Sequence, residues 1–434
     1  MEGMKLVIIG GGSVYTPEIF HEIILRRERL YFSEIVLVDI PDGAPQAELV
    51  LGLAARMLTS NGYDTKLYLT LDRRKALRGA RFVISQIRVG CMQARAKDER
   101  LGISMGLLGQ ETTGVGGFSN ALRTIPVALE IAKDMQEICP EAWLINFTNP
   151  SGIVTEAILK HSSVRCIGLC NVPINMAHDV SKLLDVPQAA LRCRFMGLNH
   201  LSFITSVRLG DEEILGQAVA RIGENTTLMK NIPKVQGVDA FTRSLGMLAS
   251  PYLQYYYFED QMRAKQDSAW AEHRTTRAAQ VEAINRSIFA QYADENLRSV
   301  PPEVSQRGGS LYSFAALDII EALTKEEETE LVVNVRNAGA IEDLAEDDVV
   351  EINCLVSRRG VRPIPAGTLP PAVAGLVQTV KQYERLCVQA AVQESRTLAV
   401  AALLNHPLAH GFENARRAVE TIEAWFPDDI HLKA

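Results

Sequence analysis

The stretch Lys5-Leu6-Val7-Ile8-Ile9-Gly10-Gly11-Gly12-Ser13 decides the fold of this chain. Lys5 to Ile9 reads as a short apolar strand, the glycine turn follows at once, and helical periodicity runs from about Pro17 to Arg27. A second apolar strand, Glu34 to Val38, closes on Asp39. Strand, glycine turn, helix, strand and acid in this order make a dinucleotide-binding unit. The glycines let the backbone approach a pyrophosphate at a helix N-terminus, and a carboxylate after the second strand accepts from the adenosine ribose hydroxyls. Gly10, Gly11, Gly12, Ser13 and Asp39 are the expected cofactor residues, and the acid favours NAD over NADP. Tyr15 stands where the fingerprint expects its third glycine. The competing reading is a tight turn and a surface aspartate.

Outward from this unit, Lys66 to Thr70, Arg81 to Ile87, Ala142 to Ile145 and Val164 to Leu169 read as further strands. Ala121 to Ile138 and Gly152 to Lys160 read as helices between them. Alternation of this kind predicts an α/β fold, a Rossmann-type, doubly wound parallel sheet. Past about Gly197 the texture becomes mixed α/β, without a second glycine fingerprint. Leu201 to Val207, Glu330 to Asn337 and Val349 to Val356 are expected strands, Glu272 to Tyr292 one long helix, and Thr379 to Ala401 one or two helices. The expected division is residues 1–196 for the cofactor and 197–434 for substrate, metal and assembly.

Composition narrows the function. The 434 residues are 47% hydrophobic and 22% charged, the balance of a globular protein with a full core. A net charge of -7 argues against a general nucleic-acid binder but leaves room for a small anionic substrate. The first residues run straight into a strand, so no signal peptide is read, and no apolar run is long enough to span a bilayer. Seven dispersed cysteines without a CxxC pair read as reduced thiols in the cytoplasm.

Polar groups recur at the carboxyl ends of the later strands: Gln86 and Arg88, Asn146 and Asn149, Cys170 and Asn171. The ligand crevice of an open α/β sheet lies at those ends. Asn149-Pro150-Ser151 reads equally as a helix cap. Cys170 and His200, as a bare pair, read as core residues; beside a nicotinamide they suit a borderline divalent ion with open positions. The glycine-rich loop from Gly109 to Gly117 reads as a flexible segment or lid, and Arg95 as part of a solvated helix face. The tyrosine-dense run Pro251 to Tyr257 reads as core, interface or catalytic.

Taken together, Ile9-Gly10-Gly11-Gly12-Ser13-Val14-Tyr15-Thr16-Pro17, Gly109-Gln110-Glu111-Thr112, Asn146-Phe147-Thr148-Asn149-Pro150, Cys170-Asn171-Val172-Pro173, Gly197-Leu198-Asn199-His200 and Arg307-Gly308-Gly309-Ser310 resemble family 4 of the glycoside hydrolases. The Cys-Asn-Val-Pro segment resembles the 6-phospho-β-glucosidases of that family, since α-specific members tend to carry Asp after the Cys. The resemblance implies a lactate/malate dehydrogenase-like fold overall, NAD, and a divalent metal, typically Mn²⁺. The implied substrate is a β-linked 6-phosphoglucoside such as cellobiose 6-phosphate. NAD takes a hydride from C3, the acidified C2 proton is removed, the aglycone is eliminated, water adds, and the hydride returns.

Residue by residue, the resemblance makes Cys170 and His200 metal ligands, Tyr252 the C2 base, and Asn149 a substrate-hydroxyl contact. Arg95 and Arg277 become the cations for the sugar phosphate. Asn171 takes the position of a catalytic acid in α-type members, but its amide has no proton to give. A homodimer or homotetramer is implied. The alternatives are an α-specific member of the family, an NAD-dependent 2-hydroxy-acid dehydrogenase, and a non-catalytic sensor of NAD or sugar phosphate.

Overall fold

In the computed structural model, residues 3–223, 232–233, 235–307 and 311–433 are described. Gly308, Gly309 and Ser310, quoted above, lie outside them. Among the described residues, thirteen strands follow in chain order: β1 (Met4–Ile9), β2 (Phe32–Val38), β3 (Lys66–Thr70), β4 (Phe82–Ser85), β5 (Trp143–Asn146), β6 (Arg165–Gly168), β7 (Leu191–Leu198), β8 (Leu201–Leu209), β9 (Glu212–Glu213), β10 (Leu248–Ala249), β11 (Thr329–Arg336), β12 (Val349–Ser357) and β13 (Gly360–Pro363). The first six are parallel in the order β3-β2-β1-β4-β5-β6, as expected of a doubly wound sheet.

Strand β1 shows why both faces are covered. Its side chains alternate between two cores, as a period of two requires. Leu6 and Ile8 pack with Ile19, Phe20, Val50 and Leu53 of the helices Thr16–Leu25 and Ala44–Ser60. Val7 and Ile9 pack on the opposite face with Ala128, Ile131, Ala132 and Met135 of the helix Gly114–Ile138.

The large sheet does not end at β6. Antiparallel β11, β12 and β13 extend it to nine strands, joined through the pairing of Asn334 with Gly168. A smaller antiparallel sheet holds β7, β8, β9 and β10. Asn353 on β12 fastens the small sheet to the large one: its Oδ1 accepts from the Phe195 N–H at 2.6 Å and its Nδ2 donates to the Cys193 carbonyl at 2.9 Å.

Two expectations need correction. Glu272 to Tyr292 is not one helix: Glu259–His273 stops at Arg274, whose φ of +50° is left-handed, and Arg277–Tyr292 starts afresh. The segment from Gly109 to Gly117 is loop only as far as Thr113. Gly114 to Gly117 form the buried first turn of the helix ending at Ile138. The missing side chains of Gly116 and Gly117 serve close packing, since a Cβ on Gly116 would lie 2.6 Å from the Asp98 carbonyl oxygen and one on Gly117 2.5 Å from the Thr112 carbonyl carbon. No helix among the described residues is long and apolar enough to cross a membrane, and all seven cysteines are unpaired.

Candidate active site

The glycine turn leaves β1 between β4 and β2, where the strand order reverses. Gly10 has a φ of +83°, and a Cβ there would lie 2.9 Å from the Gln86 carbonyl oxygen. The Asp39 carboxylate is fixed over the turn. Its Oδ2 accepts from the Gly12 N–H at 2.7 Å and its Oδ1 from the Ile40 N–H at 2.9 Å. Each oxygen keeps a lone pair for a ribose hydroxyl. The Ser13 hydroxyl accepts from the Tyr15 N–H at 3.3 Å. Gln86 holds this turn: its amide donates to the Gly10 carbonyl at 3.1 Å and to the Thr16 hydroxyl at 2.7 Å. Asn146 is likewise tied inside the fold, donating to the Thr155 hydroxyl at 3.1 Å.

Cys170 follows β6 of the large sheet, whereas His200 sits in the turn between β7 and β8 of the small one, with a φ of +62°. The two meet through Asn199, which precedes His200 and hydrogen-bonds the Cys170 sulfur. The sulfur also receives the Val172 N–H at 3.5 Å and the Tyr312 hydroxyl. Burial pushes the Cys170 thiol up, reinforced by the charge of Glu351, while those three donors pull it down. Burial brings His200 down to about 4, so its imidazole is neutral, the form that binds metal. Among the described residues, no group of three or more His, Cys, Asp or Glu side chains could hold an ion. A sulfur and an imidazole alone fit a divalent ion whose other positions go to substrate oxygens and water.

Tyr252 lies against this pair. Its ring stacks on His200 with centroids 3.8 Å apart and planes 2° from parallel. Burial raises its phenol well above the ordinary value, with Tyr255, Cys170 and Glu111 adding to the effect; Arg95 opposes it. His200, Tyr252, Asn199, Pro150, Tyr383 and Glu384 line one cavity.

Arg95 is not on a solvated face. Its side chain is 11% exposed, and its guanidinium meets Glu99 at 2.9 Å and Glu111 at 3.0 Å. Glu99 joins it to the second expected phosphate cation: its other oxygen accepts the Ala278 N–H at 2.8 Å, at the start of the helix that opens with Arg277. Arg277 itself donates to Gln280 at 3.1 Å. The Glu99 carboxylate thus caps this helix N-terminus and pairs with Arg95. Asn149 is not a helix cap. Pro150 takes that place, the Asn149-Pro150 bond is cis, and the Asn149 carbonyl accepts from Asn120 at 3.3 Å. Asn171 is buried at the start of the helix Val172–Leu184, where its carbonyl accepts from the Asn175 N–H.

Sequence reasoning missed Glu111, which binds Arg88 as well as Arg95 and acts electrostatically on Tyr252. It also missed Tyr312 and Asn199 as partners of the sulfur. Glu111 and Asn199 stood inside quoted motifs, but only the fold shows what their side chains touch.

The model of the family 4 glycosyl hydrolases matches residues 5–186, and that of the family's C-terminal domain matches residues 195–409. A probable 6-phospho-β-glucosidase of Bacillus subtilis is 42% identical over 427 residues, covering 98% of this chain and 96% of that one. The 6-phospho-β-glucosidase of Escherichia coli is 38% identical, with 98% and 96% covered. The structure of the 6-phospho-β-glucosidase from Thermotoga maritima with manganese, NAD⁺ and glucose 6-phosphate has a TM-score of 0.89 at 33% identity, covering 99% of this chain and 100% of that one. The fold alone is shared with a lactate dehydrogenase, at a TM-score of 0.55 and 13% identity over 90% of this chain and all of that one. A dehydrogenase fold that carries a thiol, an imidazole and a stacked tyrosine at its crevice, with both family models matching in order, makes this chain a member of family 4 of the glycosyl hydrolases.

Proposed function

We propose that the chain is a 6-phospho-β-glucosidase that uses NAD and a divalent metal, with Mn²⁺ the expected ion, and cleaves by oxidation and elimination. When bound, NAD supplies reversible oxidation at C3 of the sugar and the metal draws electrons from the C2 and C3 oxygens. Gly10, Gly11, Gly12, Ser13 and Asp39 hold the dinucleotide. Cys170 and His200 hold the metal, Asn149 orients a sugar hydroxyl, and Arg95 with Arg277 takes the 6-phosphate. The Tyr252 phenolate oxygen removes the proton from C2. The electron pair forms the C1–C2 double bond, and the glycosidic C1–O bond breaks. Asn171 has no acidic proton to give, so the leaving oxygen takes its proton from water or from another group. Water then adds at C1 as C2 regains a proton, and the hydride returns to C3.

The observation that carries this reading is the Tyr252 ring stacked on His200 and packed against the buried cluster that holds Cys170. An ordinary hydride-transfer dehydrogenase needs neither the thiol nor the tyrosine. Names and bound molecules of the relatives support the β-linked 6-phosphoglucoside as substrate. The enzyme works in the cytoplasm as a homodimer or homotetramer; seven unpaired thiols and the exposed Leu404 and Phe412 of the C-terminal helices support this.

The test is cleavage of α- and β-linked nitrophenyl glucosides, with and without the 6-phosphate. Only the β-linked 6-phosphate is expected to be cleaved. EDTA is expected to abolish cleavage and Mn²⁺ to restore it. Full activity after exhaustive metal removal contradicts the mechanism, and stoichiometric NADH build-up with a 2-hydroxy acid points to a dehydrogenase instead.

A further inference from the structure

The two metal ligands come from different sheets, so something must set their separation. Glu351 occupies that place. It lies on β12 of the large sheet and is fully buried. Its Oε1 accepts from Asn199 Nδ2 at 3.0 Å and from Asn334 Nδ2 at 3.3 Å, and its Oε2 accepts from the Ser202 hydroxyl at 2.7 Å. Asn199 and Ser202 bracket His200 in the β7–β8 turn, while Asn334 pairs with Gly168 on the strand that leads to Cys170. One carboxylate therefore grips both sides of the site.

Asn199 carries the grip to the metal position. Its Oδ1 accepts from the Gly152 N–H at 3.4 Å, which turns Nδ2 toward Glu351 and toward the Cys170 sulfur. Gly152 permits this approach, because a Cβ there would lie 3.0 Å from the Asn199 Cβ. Every partner of Glu351 is a donor. A buried carboxylate with three donors in fixed directions imposes one geometry, and a glutamine there would turn an N–H toward a donor.

We propose that Glu351 is the positioning residue of the metal site: acting through Asn199, it locks the His200 turn onto the Cys170 strand end so that sulfur and imidazole face one ion. This rests on Cys170 and His200 as the ligands. Outer partners of metal ligands typically contribute about 10- to 100-fold in affinity. Mn²⁺ binding to the NAD-loaded enzyme, followed by the electron paramagnetic resonance of free Mn²⁺, is expected to weaken by about that factor in Glu351→Gln and in Asn199→Ala. NAD affinity is expected to stay at the wild-type value. The double variant is expected to bind no more weakly than the worse single one, because both changes break one path. In the Co²⁺-loaded enzyme, the sulfur-to-cobalt absorption band is expected to shift in both.

Should Glu351→Gln not fold, Asn199→Ala carries the test, since it leaves Glu351 with Ser202 and Asn334. Wild-type Mn²⁺ affinity in a folded variant, or losses that add in the double variant, would overturn the proposal. Cys170→Ser and His200→Ala separate the two levels. If they keep Mn²⁺, the ligand assignment fails and the clamp with it. If they lose Mn²⁺ while Glu351→Gln keeps it, only the clamp fails.

Discussion

Tyr252, the proposed base, lies in surroundings that resist its ionisation. Burial, with Tyr255, Cys170 and Glu111 adding to it, favours the neutral phenol; the Arg95 guanidinium opposes them. The proposed role therefore requires the positive charge of the bound metal as well as Arg95, and this ties proton removal to the presence of the metal. Tyr252→Phe keeps the ring stacked on His200 and removes only the phenol oxygen. Turnover is expected to fall by roughly 10²- to 10⁴-fold, the range for loss of a general base, with Mn²⁺ and NAD affinities retained. Steady-state kinetics beside titration of both cofactors checks this, and undiminished turnover would refute the assignment. At this scale the sequence was legible mainly through the family resemblance. Cys170, His200 and Tyr252 were singled out by it; by residue type alone the first two read as core and the tyrosine run as ambiguous. Glu111, Glu99 and Glu351 were not, because a carboxylate in a chain with 52 acidic residues has no distinguishing pattern. Only burial and the direction of their hydrogen bonds set them apart.

The helix Gly114–Ile138 depends on His406 at its start. The imidazole Nε2 lies 3.0 Å from the Gly114 nitrogen and Nδ1 lies 3.1 Å from the Leu408 nitrogen, and the neutral ring accepts at one of the two. Burial, with the nearby His410, brings His406 down to about 3. An unfolded histidine titrates near 6.5, so the unfolded chain binds the additional proton between the two values. Stability is therefore present above pH 6.5 and lost as pH falls toward 3. From pH 7 to pH 5, His406 is expected to remove roughly 2 kcal/mol. Urea unfolding at the two pH values should show a smaller drop in His406→Gln than in wild type; equal drops would contradict it. The element also shows where reading by periodicity stops. Ala121 to Ile138 was legible as helix, but the preceding glycines read as loop, because glycine disfavours helix when its surroundings are unknown. Here Asp98 and Thr112 approach too closely for any larger residue at 116 and 117. The break at Arg274 was hidden for a related reason: a left-handed arginine carries no sequence signal of its own.

Across the whole molecule, the chain builds a nucleotide crevice from the first six strands and then returns, through β11 to β13, to the same sheet. The parallel half was legible because strand, turn and helix are consecutive there. The return was not, because the pairing of Asn334 with Gly168 joins residues more than 160 positions apart. That return places Glu351 beneath the site and brings a turn of the small sheet beside a strand end of the large one. The architecture accounts for a glycosyl hydrolase on a dehydrogenase fold: the large sheet carries the glycine turn and Cys170, while the small sheet supplies the His200 imidazole.

The central claim, that a glycosidic bond is broken by removing a proton from C2, is tested most directly by running the reaction in D₂O on a β-linked 6-phosphoglucoside and examining the glucose 6-phosphate by NMR. The account predicts deuterium at C2 of the product, its loss in step with turnover in Tyr252→Phe, and none without metal. Glucose 6-phosphate released at the full rate with hydrogen retained at C2 would contradict it.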